Sequence, residues 1–332
     1  MRVAVILVKT LAVALALTFQ ASARDACAEE LFVAEYNIEN LFDAVDDPKT
    51  EDFDAEKWDA AMLAVKLKNL ATTIRGMNDG RGPDVLGVCE VENRAVLEAL
   101  VKELALPARD YKIVHQDSPD ERGIDCAILY DAKLLKLLSE KFHPVTIQQT
   151  RDIVEAKLGW GDATLTVFMN HWPSQNNPEE DRLAAAKVLR TRIDDILKTD
   201  PTADVLCMGD FNEPKTTDPA IKDGLRTVAA AADAKQGVLF NTMAPVVADG
   251  KRGTFVYDNR WNPLDHIIVS EGLLNGSGLR WKADSTKILD DAALLLPAKG
   301  DWIPKPHPTR SGKTFDATGV SDHLPILCLL TK

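Results

Sequence analysis

DVLCMGDFN, residues 204 to 212, holds four apolar residues in a row and then breaks into Gly209-Asp210-Phe211-Asn212. A run this short, bounded by polar residues, reads as a core strand. It ends in two oxygen-bearing side chains two positions apart, on one side of the chain if the backbone stays extended, and Gly209 permits a close backbone approach beside them. The same pattern recurs. Residues 31–36 run into Asn37, 85–89 into Glu90 and 165–169 into Asn170-His171, while Ser321-Asp322-His323 opens the last apolar run. Five separated segments thus place metal-capable or proton-handling groups at strand ends, where α/β proteins build their sites.

Further apolar, β-branched runs predict strands at 31–37, 85–90, 124–130, 153–158, 165–170, 205–208, 264–269 and 324–330. Helices fall between them. Leu63, Leu67, Leu70, Ile74 and Met77 follow a 4-3-4-3 spacing, which marks one apolar stripe on a helix over about 55–77. A second helix is expected over 94–104. A third is announced by Asn177 as cap, Pro178 in the first turn and Glu179-Glu180 at the positive end of the dipole, and should run to about Lys198. Strands and helices alternate throughout and no linker divides them, so residues 24–332 read as one layered α/β domain.

The first 23 residues differ from the rest. Arg2 and Lys9 are their only charges, residues 11–19 are apolar, and Ala21-Ser22-Ala23 supplies an A-x-A cleavage signal. The apolar run is too short to span a bilayer, so residues 1–23 are expected to be a cleaved signal peptide and the protein secreted or periplasmic, with no stable membrane anchor. Arg24-Asp25-Ala26 does not suit a lipid anchor on Cys27. The whole chain carries a net charge of −12, which becomes −14 without the leader. Such a balance argues against nonspecific attraction of polyanions, and any anionic substrate needs local help. Cys89, Cys126, Cys207 and Cys328 sit inside apolar runs and read as buried thiols. No Cys/His spacing suggests zinc, although a Cys89–Cys126 disulfide stays open if those strands are neighbours.

A lone Asp or Asn after a strand is usually a turn former, but five such ends together suit metal-assisted attack of water on a phosphate ester. Glu90 and Asp322 are hard oxygen donors for Mg²⁺, Mn²⁺ or Ca²⁺. Asp210 can orient and deprotonate the water, and the histidines can handle protons and developing charge. Residues 297–321 form a long stretch with Lys299, Lys305, Arg310, Lys313, Trp302, His307 and four prolines, a composition suited to facing a substrate. His115 and His143 stand without an evident constellation, and His266 should point away from Asp265 by strand alternation.

YNIENLFD (36–43), GVCEVEN (87–93), ERGIDCAILY (121–130), NHWPS (170–174), GDFNEP (209–214), LDHIIVS (264–270) and SDHLPI (321–326) occur in an order that resembles the endonuclease/exonuclease/phosphatase superfamily, in particular its exported bacterial endonucleases. The resemblance spans residues 31–330. It implies a four-layer αββα sandwich with two packed mixed β-sheets and a divalent metal at one edge. Carried over motif by motif, it implies Glu90, Asp322 and Asn37 at the metal, and Asn37, Asn212, Arg122 and Arg151 at the phosphate. Asp210 would orient the water, and His171 and His323 would flank the phosphate. Asp125 would orient His171 and Asp265 would orient His323, raising the pKa of both histidines. Asn40 would structure the loop after the first strand.

The resulting expectation is an exported, Mg²⁺-dependent phosphodiesterase acting on nucleic acid, chiefly a DNA endonuclease, with no obligate protein partner. The same motifs serve sphingomyelinase-type phospholipases C and phosphatases of small esters. A sphingomyelinase should carry an exposed apolar or aromatic hairpin, and the sequence displays no clear one. A non-catalytic phospholigand-binding module would have lost some of these ligands and histidines.

Overall fold

The computed structural model describes residues 30–332 apart from 48–49, 51–57, 146, 148, 277 and 312–313. The expected signal peptide, Cys27, the first residues of the first predicted helix and Lys313 lie outside the described residues. In chain order the elements are β1 (Glu30–Leu41), α1 (Ala60–Gly80), β2 (Val85–Val91), α2 (Arg94–Leu104), β3 (Tyr111–His115), β4 (Asp125–Asp131), β5 (Lys136–His143), β6 (Ile153–Trp160), β7 (Ala163–His171), α3 (Glu179–Thr199) and β8 (Val205–Asp210). Short strands follow: β9 (Thr227–Val228), β10 (Leu239–Asn241), β11 (Phe255–Tyr257), β12 (Arg260–Asn262) and the longer β13 (Asp265–Val269). The chain closes with β14 (Arg280–Trp281), β15 (Lys287–Ile288), β16 (Leu295–Leu296), β17 (Lys305–Pro306), β18 (Arg310–Ser311), β19 (Thr314–Phe315) and β20 (Ile326–Thr331).

Alternation along β1 shows how the layers form. Leu31 and Val33 point into an inner core shared with Val167, Met208 and Ile267. Phe32, Ala34, Tyr36 and Ile38 point the other way and pack on Leu70 and Ile74 of α1 and Leu97 of α2. Two sheets therefore face one another, ordered β14-β20-β1-β2-β4-β3, with β15 also on β20, and β5-β6-β7-β8-β13-β10-β9. Helices α1 and α2 cover the first, and α3 covers the second through Ala186, Leu189 and Ile193. Both sheets are mixed, with β1–β2, β7–β8 and β9–β10 parallel. This is the αββα sandwich. Each wholly buried leucine or isoleucine at these faces contributes roughly 2 kcal/mol.

Helix boundaries follow local chemistry. Asp59 caps α1 by accepting from the Ala61 and Met62 N–H groups, and non-helical backbone at Met77 ends its regular part. Asn93 caps α2 by accepting from Val96 N. The cap expected at Asn177 is instead Pro178, which has no side chain to donate or accept, and the acids Glu179, Glu180 and Asp181 fill the first turn. Edge strands β3 and β5 were not legible in the sequence, since β5 exposes most of its residues and shows no apolar run.

Two glycines pack closely behind the site, one between the sheets and one within the second sheet. A Cβ on Gly87 of β2 would come within 2.5 Å of Met169 Sδ and 2.6 Å of Met208 Cε, so a larger residue there would have to displace the ends of both methionine side chains. A Cβ on Gly209 would lie 2.1 Å from Asn170 O, which fulfils the close approach expected there. Cys89 and Cys126 are direct partners across β2 and β4, and they, Cys207 and Cys328 are buried free thiols. No helix among the described residues is long and apolar enough to cross a membrane.

Candidate active site

On the second sheet, register alone assembles a row. His171 is paired with Asp210 across β7 and β8, and Asp210 with Asp265 across β8 and β13. After Asp210 the chain does not stay extended. Asn212 turns left-handed at φ +52, its N–H donates to Asp210 Oδ1 at 2.9 Å, and its side-chain amide donates to Trp172 O at 3.0 Å.

The first sheet supplies its share through irregularities. Register between β1 and β2 slips between Asn37 and Leu41, where Glu39 and Asn40 are left-handed at φ +50 and +49. Register between β2 and β4 slips at Glu90, which has φ +63. Such bulges re-aim side chains at a sheet's edge. Asn40 N donates to Glu90 Oε2 at 2.9 Å, which structures the loop around the carboxylate, and Arg122 donates to Asn40 Oδ1 while standing 3.7 Å from Glu90 Oε2.

The two edges meet. Asn37 directs its amide N–H groups at Asp210 Oδ2, 3.1 Å away, and at Glu90 Oε1, 3.4 Å away, and its Oδ1 accepts from Glu39 N. The amide nitrogen of Asn37, a residue expected at the metal and the phosphate, thus joins carboxylates of the two sheets, while its oxygen holds the bulge of β1. Ser321 Oγ donates to Asn37 O, and the turn it opens delivers His323, whose Nδ1 lies 2.8 Å from Asp265 Oδ2. Asp210 Oδ2 lies 3.7 Å from His171 Nε2 and 3.8 Å from His323 Nε2, and His171 Nε2 lies 3.9 Å from Glu90 Oε1.

Their surroundings push the two histidines in opposite directions. Burial would lower His323, but Asp265 and Asp210 hold its pKa well above the ordinary value. Burial lowers His171, and Arg151, Arg122 and His323 lower it further. The expectation that Asp125 orients His171 is therefore corrected. Asp125 lies against His115 Nε2 at 3.2 Å and accepts from Ser118 N at 2.8 Å, while His171 Nδ1 is buried without a partner. His115, which sequence reading left alone, thus belongs to a cluster with Asp125 and Asp117. Burial pushes Asp210 up to about 7, with further push from Asp265 and Glu90 against the pull of His323. Burial pushes Asp322 up to about 7 as well, against His323 and helped by Glu39 and Glu90.

Arg151 is buried, donating to Asp120 Oδ2 and Trp172 O, so its guanidinium braces the wall behind His171 rather than facing outward as a phosphate contact would. His266 is buried beside Asn241, away from the row, as strand alternation predicts. Sequence reading missed Glu35. It occupies the inward register of β1, wholly buried with both carboxylate oxygens unpartnered, and burial, Asp265 and Asp210 push its pKa well up. The signal was available, because an acid stands where alternation calls for an apolar residue.

Near-neutral carboxylates crowded with Glu90 and Glu39 fit a hard divalent cation, which would relieve their mutual repulsion. The donor chemistry suits Glu90 and Asp322 as its holders. Asp210, Asp265 and His323 also bring ligand atoms within 4.8 Å of one another. The 2.8 Å contact on His323 Nδ1 and its raised pKa fit a charged hydrogen-bonding imidazole better than a metal ligand there.

Residues 32–332 match the endonuclease/exonuclease/phosphatase family. No curated protein sequence matches the chain significantly. Among solved structures, D. rerio TDP2 complexed with a single-strand DNA product is similar, with 17% identity, a TM-score of 0.59, and 91% of this chain and 99% of that one covered. The Bacteroides thetaiotaomicron mannosyl-6-phosphatase Bt3783 has 16% identity and a TM-score of 0.57, covering 91% and 100%. The human Nocturnin catalytic domain has 15% identity and a TM-score of 0.54, covering 91% and 94%. At these identities the likeness is one of fold.

Proposed function

The chain belongs to the endonuclease/exonuclease/phosphatase family, and from that premise we propose that it is an exported, divalent-metal-dependent phosphodiesterase that cleaves nucleic acid, DNA foremost, through its single catalytic domain behind a cleaved leader. The observation that carries the chemistry is the set of contacts around Asp210. Its Oδ2 stands between His171 and His323 and is fixed by Asn37, so a water held there has a carboxylate near neutral pKa to take its proton. His323, kept charged by Asp265, is placed to stabilise negative charge on a phosphate. His171, kept neutral, is a hydrogen-bond partner rather than a second charge. Asn212 and Arg122 border the same space. A Mg²⁺ held by Glu90 and Asp322 would supply Lewis acidity to the phosphate oxygen, and Mn²⁺ or Ca²⁺ have the same ligand preferences.

The rim favours a polymer over a small ester. Phe255 stacks at 4.9 Å on His323, and its hairpin carries Tyr257, 72% exposed, and Arg260. A neighbouring turn holds Trp302, 63% exposed, between Lys299 and Lys305, and the two are tied by Asn259 donating to Asp301 O and accepting from Ile303 N. Sequence reading found no exposed aromatic hairpin, and the fold makes one by joining residues 42 positions apart. Exposed rings beside cations suit stacked bases and phosphates. Each tip also carries an acid, Asp258 and Asp301, which opposes entry into a lipid surface. That one similar structure holds a single-strand DNA product agrees with this reading.

The test uses the chain from Arg24 onward with plasmid DNA, single-stranded RNA, sphingomyelin and a chromogenic phosphodiester, each with Mg²⁺, Mn²⁺, Ca²⁺ or EDTA, and His171→Ala as control. Metal-dependent nicking of plasmid that the control lacks is the expected result. Hydrolysis of lipid or of the small diester alone would keep the chemistry and discard the substrate.

A further inference from the structure

Lys66 of α1 has no exposed area, although its side chain ends in an amine. A buried ammonium persists only when it is paired and hydrogen-bonded. Its Nζ donates to Thr309 Oγ1 at 2.9 Å and lies 3.7 Å from Glu39 Oε2. That same oxygen accepts from Thr309 N and from Thr309 Oγ1, each at 2.6 Å, so two hydrogen bonds and an ion pair converge on one side of one carboxylate. Glu39 reaches them because the left-handed bulge in β1 turns it away from the strand's regular alternation.

The surroundings are anionic. Burial lowers the Lys66 pKa while Glu39, then Asp322, then Glu90 hold it up, so all three carboxylates act on this ammonium. Without it, three acids would share one edge of the site, a charge density that suits two divalent ions bridged by carboxylates. With it, one acid is already neutralised from inside the protein.

Building on the metal reading above, we propose that Lys66 is the resident counter-cation of the metal edge: it engages Glu39, withholds that carboxylate from metal coordination, and so fixes the site at one divalent ion. Glu39 is then a positioning residue, which also ties Thr309 to β1. The chain segment that delivers Ser321, Asp322 and His323 is further held by α1, where Asn69 donates to Ala317 O and Gly319 O.

Mn²⁺ bound per chain, counted by equilibrium dialysis on the whole mature protein, tests this. Wild type should bind one ion, Lys66→Met two, and Lys66→Met/Glu39→Gln one again, since the added ion depends on the released carboxylate. A wild type that binds two ions, or a folded Lys66→Met that still binds one with affinity within about threefold of wild type, overturns the proposal and leaves the metal site standing. A wild type that binds none overturns both readings. If Lys66→Met does not fold, the double variant decides, because it leaves no unpaired buried charge. It should keep one ion within about threefold of wild-type affinity, and a loss of tenfold or more would make Glu39 a ligand and overturn the assignment.

Discussion

The two sheets deliver their halves of the site by opposite means. On the second sheet, regular pairing lines up His171, Asp210 and Asp265 across three adjacent strands. On the first, regular pairing fails twice, and the left-handed residues Glu39, Asn40 and Glu90 turn carboxylate and amide groups off the strand edge. Straight register suits groups that must stand side by side at a fixed spacing. Bulged backbone suits groups that must converge on one point, as ligands of a cation do. His323 lies on the turn that leads into the first sheet's last strand, β20, but rests on Asp265 of the second, and so couples the two.

Breaking the row at its centre should cost the most. Asp210→Asn removes the proton acceptor that faces both histidines, and kcat on a small phosphodiester should fall by about 10³-fold or more in single-turnover measurements. Asp125→Asn is the matched control. Asp125 is paired with His115 and not with the row, so activity should stay within about twofold while stability falls by roughly 1–2 kcal/mol.

Asp265→Asn tests whether the difference between the histidines comes from their second partner. The variant should lose about 10²-fold in kcat. Its pH profile should narrow from the alkaline side. Asp265 and Asp210 raise His323, so its charged form persists above the ordinary histidine range. Without Asp265 that form is lost at lower pH, and the alkaline limb of kcat/KM moves toward acid. An unmoved limb would assign it to another group.

The bulged half has a backbone test. Asn40 sits at φ +49, so Asn40→Ala should destabilise by about 1 kcal/mol, whereas Asn40→Gly should keep the backbone at lower cost and lose only the contact with Arg122. Thermal melts of the pair separate strain from the lost hydrogen bond. A smaller effect is expected on β6, remote from either half. Glu155 accepts from Arg192 at 2.7 and 2.8 Å and lies 2.7 Å from His143 Nε2, and these partners overcome its burial and hold its pKa at about 2. A depressed carboxylate contributes stability that is present above its unfolded pKa, near 4.3, and is lost as pH falls through about 2. Glu155→Gln should therefore flatten the acid side of a stability–pH curve without changing turnover.

The regular half was the more legible in sequence. Residues 165–171 and 204–212 announce both a core strand and the polar break that ends it, and a strand's period of two then places the side chains. Asn37, Glu90 and Asp322 were also visible as types. The left-handed turns that aim Glu39 and Asn40 were not, since neither glycine nor a turn motif marks them. The Asp125–His115 pairing was missed because it depends on β3, an edge strand with no clear apolar alternation, and on its pairing with β4. Lys66 was hidden by its setting. On a helix stripe its number reads as a solvated neighbour of Leu67, and only contacts of α1 with Thr309, Ala317 and Gly319 bring the covering chain over it.

Gly87, wedged against Met169 and Met208, has a consequence for how such a protein can change. The two methionines immediately precede Asn170-His171 and Gly209-Asp210, and Gly87 lies three residues before Glu90. The carboxylate that would grip the ion and the carboxylate that would activate water are therefore backed by a shared seam of one glycine and two thioethers in the dry interior, whose flexible ends can take up small changes in packing. Hairpins around the mouth can be exchanged for others, and a new substrate class admitted, without disturbing that seam.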